Sequence, residues 1–361
     1  MIDRLIADSI ALLRKMIAVP SVSFDEGQVC GLIASALKDW GIDCSVIGHN
    51  IVAFNYFYDP SKATLALDAH IDTVPASESY TRDPFDPGMD PAVVYGLGAN
   101  DDGGSVVSMI AAFRYFYKER MPVNLLLTLT CEEERSGPGG AKLLYSADGP
   151  LAGRLPEWVI VGEPTGMKAA TSERGLLVLD CVAKGVTGHA ARNEGVNALY
   201  KAVEDIEVLR SHKFAKKSPL MGEVKLNVTQ IEAGHAHNVI PDSCKFVVDI
   251  RPTEMYTPTE ILGELQALCQ SELTPRNLNN LSSATSADSR LLGTLAALGV
   301  ETFSSPTTSN WIRLSCDAVK MGPGDSSRSH RADEYLLTSE IEDAVKKYIT
   351  FIETFYGNTL E

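Results

Sequence analysis

The chain has 361 residues, 45% of them hydrophobic, which is enough for a large core and more than one domain usually needs. Lys and Arg number 32 against 47 Asp and Glu, and the resulting charge of −15 repels nucleic acid and anionic membranes, so neither is expected as a partner. Seven cysteines scattered singly, without a C-x-x-C pair, argue against a cysteine-rich zinc module or a disulfide framework and suit a reducing, cytoplasmic setting.

At the N-terminus, Leu5, Ile6, Ile10, Leu13 and Ile17 recur at helical spacing among Asp3, Arg4, Asp8, Arg14 and Lys15. This pattern predicts a surface helix and not a signal peptide. No apolar run reaches membrane-spanning length. A second helix is expected near 27–40, a strand over 51–57, and another in T-L-A-L-D-A-H-I-D at 64–72. Gly and Pro cluster over 84–104, and S-V-V-S-M-I-A-A-F-R-Y-F-Y then reads as a mostly buried helix. The near-continuous apolar run V-N-L-L-L-T-L-T at 123–130 fits a strand covered on both faces. A helical stretch around Ala141 and the strand W-V-I-V at 158–161 continue the alternation, which predicts an α/β sheet with helices on both sides.

After about residue 171 the pattern changes. Runs such as G-L-L-V-L-D-C-V-A-K-G, V-K-L-N-V-T-Q-I and K-F-V-V-D-I-R alternate apolar and polar residues, with helices expected near 197–210 and 258–269. Strands wet on one face and helices on the other predict a smaller inserted α+β module. The polar stretch at 278–289 reads as the return linker. The expected division is 1–172 and 286–361 for an α/β catalytic domain, with 173–285 as the inserted lid.

Six segments place His or carboxylate side chains at strand ends or in glycine-rich loops, the edge where open α/β sheets bind ligands. In H-I-D-T-V-P, His70 and Asp72 lie two apart and share a face of the strand, so the carboxylate can receive the ring N–H of a metal-bound imidazole. In G-L-G-A-N-D-D-G-G, Asp101 and Asp102 sit where glycine lets the backbone turn, and a carboxylate with two oxygens can bridge two cations; capping of the following helix is the bland alternative. The run L-T-C-E-E-E-R-S-G sets three glutamates at the end of a buried strand, a costly arrangement unless a cation neutralises them or water solvates them. One of them would bind metal and a neighbour would handle protons. Glu163 follows a buried strand in I-V-G-E-P-T, and His330 lies in G-P-G-D-S-S-R-S-H. His189, in G-V-T-G-H-A-A, lacks nearby carboxylates and reads as a hydrogen-bond donor.

Taken in order, these segments resemble the dinuclear zinc family that includes acetylornithine deacetylase, succinyl-diaminopimelate desuccinylase, aminoacylase and carboxypeptidase G. The resemblance runs from about residue 20 to 335 and is nearest to acetylornithine deacetylase-like members, through S-E-R-G-L-L-V-L-D, G-H-A-A-R-N-E-G-V-N-A and G-P-G-D-S-S-R-S-H-R-A-D-E-Y. It implies a catalytic domain split in sequence by a lid that often dimerises. It implies His70 and Glu163 on one metal, Glu134 and His330 on the other, Asp101 bridging, Glu133 as general base and Asp72 as the partner of His70. It also implies His189 as a donor that reaches the partner subunit's site in dimers, and Arg251 and Asn238 at the substrate, with Arg251 on the amino acid carboxylate. Unpaired in its strand, such an arginine would be costly.

Two departures stand out. D-D-G-G replaces the usual D-M-K-G, leaving Asp102 without a role. Glu132 stands where the family has Asp, which shifts the glutamate register by one unless Thr130 aligns with the family threonine. The mixed His and carboxylate set suits two zinc ions and also admits cobalt or manganese. The expected activity is metal-dependent hydrolysis of the amide of an N-acyl amino acid, N-acetyl- or N-succinyl-L-ornithine, in arginine biosynthesis. Its rivals are succinyl-diaminopimelate desuccinylase, a dipeptidase or carboxypeptidase of the same family, and a non-catalytic binding protein on the same fold.

Overall fold

The computed structural model describes residues 1–192 and 194–357, so Asn193 of the G-H-A-A-R-N-E-G motif lies outside the described residues. The chain forms two compact units, one of Met1–Thr171, Thr285–Phe303 and Ser309–Glu361, the other of Ser172–Ala284 and Ser304–Thr308. Among the described residues no helix is long and apolar enough to cross a membrane.

The first unit is built on a mixed sheet. Thr64–His70 and Asn124–Thr130 run parallel, with His70 beside Thr130. Trp158–Val161 lies parallel on the other side of Thr64–His70, and Asp317–Lys320 follows it. Asn50–Phe54 pairs antiparallel with Asn124–Thr130 and makes the sheet mixed. Every residue of the two central strands is buried, which is why their sequence is apolar without alternation. Leu65, Leu67, Leu125 and Leu127 pack under the helices Ile2–Ile17, Gly104–Phe116 and Thr338–Gly357. Ala66 and Leu126 point to the opposite face, against Leu144 and Trp311. The helical stretch expected around Ala141 is a single turn, Ala141–Leu144. Because four neighbouring strands are parallel, their C-terminal ends share one edge. His70, the 132–134 glutamates, Glu163 and the segment after Lys320 all leave the sheet there.

The second unit is an antiparallel sheet in the order Lys225–Ala233, Ser243–Arg251, Leu177–Lys184, Glu272–Pro275. Leu177, Leu179 and Cys181 face the core, while the residues between them are half-exposed. The helices Ala198–Ser211 and Pro258–Gln266 supply the rest of that core. Each helix begins on a side-chain cap. Asn197 accepts the Leu199 N–H, and Thr257 with Glu260 forms a reciprocal capping box. Placing all of 286–361 in the first unit needs correction, since Ser304–Thr308 groups with the second. Hydrogen bonds to the Arg174 backbone explain it, as the Arg174 N–H donates to the Ser305 carbonyl at 3.3 Å and the Thr308 hydroxyl donates to the Arg174 carbonyl at 3.1 Å. Phe246 is 1% exposed at the centre of this core. Phe246→Ala is expected to cost about 3–5 kcal/mol, read from denaturant unfolding of the second unit.

Candidate metal centre

His70 ends its strand 2% exposed. Its Nδ1 lies 3.0 Å from the Asp72 carbonyl oxygen and 3.4 Å from Asp72 Oδ1, and its Nε2 lies 3.2 Å from Asp101 Oδ1. Burial alone would lower the ring's pKa, but its bonds to Asp101 and Asp72 carry it well above the ordinary value. The other Asp101 oxygen, Oδ2, is 3.8 Å from His330 Nε2, which is itself 3.0 Å from Glu134 Oε1. The Glu134 bond holds the His330 imidazole up at about 9. One carboxylate therefore presents its two oxygens to two different imidazoles, and His70, Asp101 and Glu134 offer ligand atoms within 4.8 Å of one another.

The three glutamates separate by environment. Glu132 turns away, and its carboxylate accepts the Gly139 N–H at 2.7 Å. Glu134 meets His330. Glu133 stays near His70, Glu134, Asp72 and Asp101. Burial pushes it up to about 8, opposed by His70 and reinforced by the three neighbouring carboxylates. Asp72 sets this loop's position, taking the Glu133 N–H at 3.0 Å, the Glu134 N–H at 3.1 Å and the Ser23 hydroxyl at 2.7 Å. Glu163 follows its strand as expected and is pushed well up by burial, with Lys320 acting against the shift.

Asp102, which had no role in the sequence, is 1% exposed, and its Oδ2 accepts the His70 backbone N–H at 3.3 Å. Burial drives its carboxyl well above the usual range. A Cβ at Gly162 would stand 2.9 Å from that Oδ2, so the turn into Glu163 requires glycine.

Several residues at the site were not singled out in the sequence. Glu334 is 3% exposed and accepts the N–H groups of Gly98, Asn100 and Asp101 at 3.1, 2.8 and 2.9 Å. Asn100 accepts the Asp325 N–H at 2.9 Å and donates to the Asp325 carbonyl at 3.1 Å, joining the Asp101 loop to the segment that leads to His330. Lys320, 1% exposed, and Arg313 lie within electrostatic range of Glu163 and Glu133 respectively. Asp68, beneath His70, is satisfied by Thr128, Tyr145 and Asn310. Glu334→Ala would free three buried N–H donors and loosen Asp101. It is expected to weaken metal binding by about 10- to 100-fold in competition with a chelator.

The remaining three sequence candidates belong to the second unit. The His189 Nδ1 accepts the Ala191 N–H at 3.1 Å, which leaves the proton of a neutral ring on Nε2. Asn238 lies next to it in the fold, since the Ala190 N–H donates to the Asn238 carbonyl at 3.0 Å and Val239 pairs with His189. Arg251 corrects the cost argument made from sequence. Its guanidinium is already paired with Asp249, at 2.8 and 3.0 Å, and reaches Thr308 at 3.3 Å. The partner was legible, because residues two apart on a strand share a face.

Among these side chains, His70, Asp101 and Glu134 offer nitrogen and oxygen donors that could hold a divalent cation, with His330 against Asp101 and Glu134. Positive charge there would also offset the burial, and the smaller carboxylate repulsion, that push Glu133 and Glu163 upward.

The profile described as Peptidase family M20/M25/M40 matches residues 66–354. The chain is 27% identical to a succinyl-diaminopimelate desuccinylase of Cereibacter sphaeroides, over 97% of this chain and 99% of that protein. It is 28% identical to an acetylornithine deacetylase of Edwardsiella ictaluri, over 92% and 94%. Its fold is similar to that of an M20 family metallo-carboxypeptidase from Sulfolobus solfataricus, with a TM-score of 0.77, 18% identity and coverage of 96% and 99%.

Proposed function

Because the chain belongs to peptidase family M20/M25/M40 and is a metal-dependent hydrolase, we propose that it removes a small acyl group from the nitrogen of an amino acid. The substrate of this reading is N-acetyl- or N-succinyl-L-ornithine, giving ornithine and the carboxylic acid, as a cytoplasmic step in arginine biosynthesis. The observation that carries it is the position of Glu133, a carboxylate kept apart from the string His70, Asp101, His330, Glu134 yet held against it through Asp72. The likeness to an acetylornithine deacetylase and a succinyl-diaminopimelate desuccinylase supports an acyl-amino acid substrate.

In this reading His70 and Glu163 would hold one cation and Glu134 and His330 the other, with Asp101 shared between the two. Zinc suits the donors best, with cobalt or manganese as alternatives. When bound, such a pair supplies polarisation of the amide carbonyl and makes a water acidic enough to ionise near neutral pH. Glu133 takes a proton from the attacking water and delivers it to the leaving nitrogen, so the C–N bond breaks with release of a neutral amine. Asp72 keeps the His70 ring and the Glu133 backbone in register. His189 donates through Nε2–H to the oxyanion, a contact worth about 3–4 kcal/mol elsewhere. Asn238 and Arg251 contact the amino acid end, and the second unit carries a homodimer contact.

The nearest competing substrates are succinyl-diaminopimelate, from the likeness to the desuccinylase, and short peptides, from the peptidase family. Metal-loaded protein assayed on acetylornithine, succinylornithine, succinyl-diaminopimelate and a dipeptide panel tests the reading. Highest kcat/KM on an N-acyl ornithine supports it, and turnover of dipeptides alone overturns it.

A further inference from the structure

Glu26 opens the helix Gly27–Asp39, where a carboxyl side chain ordinarily accepts the first amides of its own helix. This one makes no such bond. It is 0% exposed, and its oxygens serve the loop that carries the glutamates. Oε1 accepts the Glu132 N–H at 3.0 Å and the Phe24 N–H at 2.8 Å, while Oε2 lies 2.9 Å from Nδ1 of the half-exposed His49. Glu132 and Phe24 both have positive φ, 59° and 79°, a conformation that residues with a side chain keep only where their surroundings impose it.

Three consecutive amides are therefore fixed by two buried carboxyl groups, Glu132 by Glu26, and Glu133 and Glu134 by Asp72 at 3.0 and 3.1 Å. Just before them the Cys131 N–H donates to Asn50 Oδ1 at 3.1 Å, and Asn50 follows His49 in the chain. The Glu134 side chain has an anchor of its own in His330. The Glu133 carboxyl makes no hydrogen bond among the described residues, so its direction is set by its backbone and by the turn at Glu132. We infer that Glu26 is a positioning residue for Glu133, which holds the left-handed turn at Glu132 and so aims the carboxylate that moves the proton in the proposed reaction. His49 braces the second oxygen of Glu26. The inference rests on the proposed amide hydrolysis and is independent of which acyl group is removed.

The test is a double-mutant cycle with Glu133→Gln in metal-saturated protein, on whichever substrate of the panel the parent turns over best. Glu26→Ala should lower kcat about 100-fold, the scale of a catalytic group displaced by about 1 Å, with KM within about threefold and bound metal equal to the parent's. In the Glu133→Gln background the same substitution should cost less than about threefold more, because a residue that acts through Glu133 has nothing left to aim. Glu26→Gln keeps an oxygen for both N–H groups and should restore kcat to within about threefold of the parent. If Glu26→Ala does not fold, Glu26→Asp carries the same cycle, since its carboxyl is one methylene short of the Glu132 N–H, and about a 10-fold loss confined to the Glu133 background is expected. Equal losses in both backgrounds would overturn the inference and make Glu26 a general support of the fold. Loss of metal in Glu26→Ala would overturn it as well, by moving the effect to the ligands, and so would a Glu26→Gln as impaired as Glu26→Ala. A parent that turns over nothing on the panel overturns the wider reading, and this inference with it, before any variant is made.

Discussion

Glu133→Gln is expected to lower kcat by about 1,000-fold or more, with metal content and melting temperature close to those of the parent. The amide nearly matches the carboxylate in shape and keeps the backbone N–H that Asp72 accepts at 3.0 Å. Loop geometry is therefore preserved and only the proton acceptor is lost. The carboxylate stands near His70, Asp101 and Glu134, so cations held there would keep it in the ionised form that accepts a proton. Elemental analysis beside steady-state kinetics separates the outcomes. A variant that keeps both metals and retains full activity would move the proton transfer to another residue. A variant that loses metal would make Glu133 a ligand.

Removing the metals is expected to have the second largest effect. In their absence Asp101, Asp102, Glu133, Glu134 and Glu163 crowd one edge of the sheet, with Glu133 pushed to about 8 and Glu163 and Asp102 driven up by burial. A cation that binds only the folded chain adds about 4 kcal/mol of stability when free metal exceeds Kd a thousand-fold. Chelation should therefore lower the melting temperature by on the order of 10 °C as activity disappears. Loading should also release protons near pH 7, because His70 is held well above its ordinary pKa and Glu163 is raised, and ligands bind metal only when deprotonated. Calorimetry in two buffers of different ionisation enthalpy measures that release. Asp101→Ala, which removes both bridging oxygens, should reproduce the chelated state even with metal in excess. Unchanged melting on chelation would count against a structural metal pair.

The parts of the site that could be read from the chain are those set by local chemistry. His70 and Asp72 share a strand face by spacing alone, and apolar runs ending in Glu132–Glu134 and Glu163 announce strands that deliver carboxylates to one edge. The mixed sheet and the separate antiparallel module follow from the same contrast between continuous and alternating apolar runs. Glu334 was not legible, because its work is to hold N–H groups as far as 236 residues away in sequence. Lys320 at the end of D-A-V-K looks like an ordinary surface cation until the fold buries it near Glu163, and Arg313 in N-W-I-R until the fold half-buries it near Glu133. The return of Ser304–Thr308 to the second unit depends on hydrogen bonds to the Arg174 backbone that no periodicity encodes. Asp102 could be seen as a departure, but its contact with the His70 N–H requires the folded loop.

Asp72 touches the His70 ring, the Glu133 and Glu134 backbones and Ser23 with a single carboxylate. The orientation of an imidazole and the placement of a proton acceptor thereby become one mechanical degree of freedom. A sequence drifting under selection cannot adjust one without disturbing the other, and a shift at this residue alters cation retention and turnover in the same step. Tuning of either property has to come from outside that junction, through Glu334 and Asn100 behind Asp101 or through Lys320 beside Glu163.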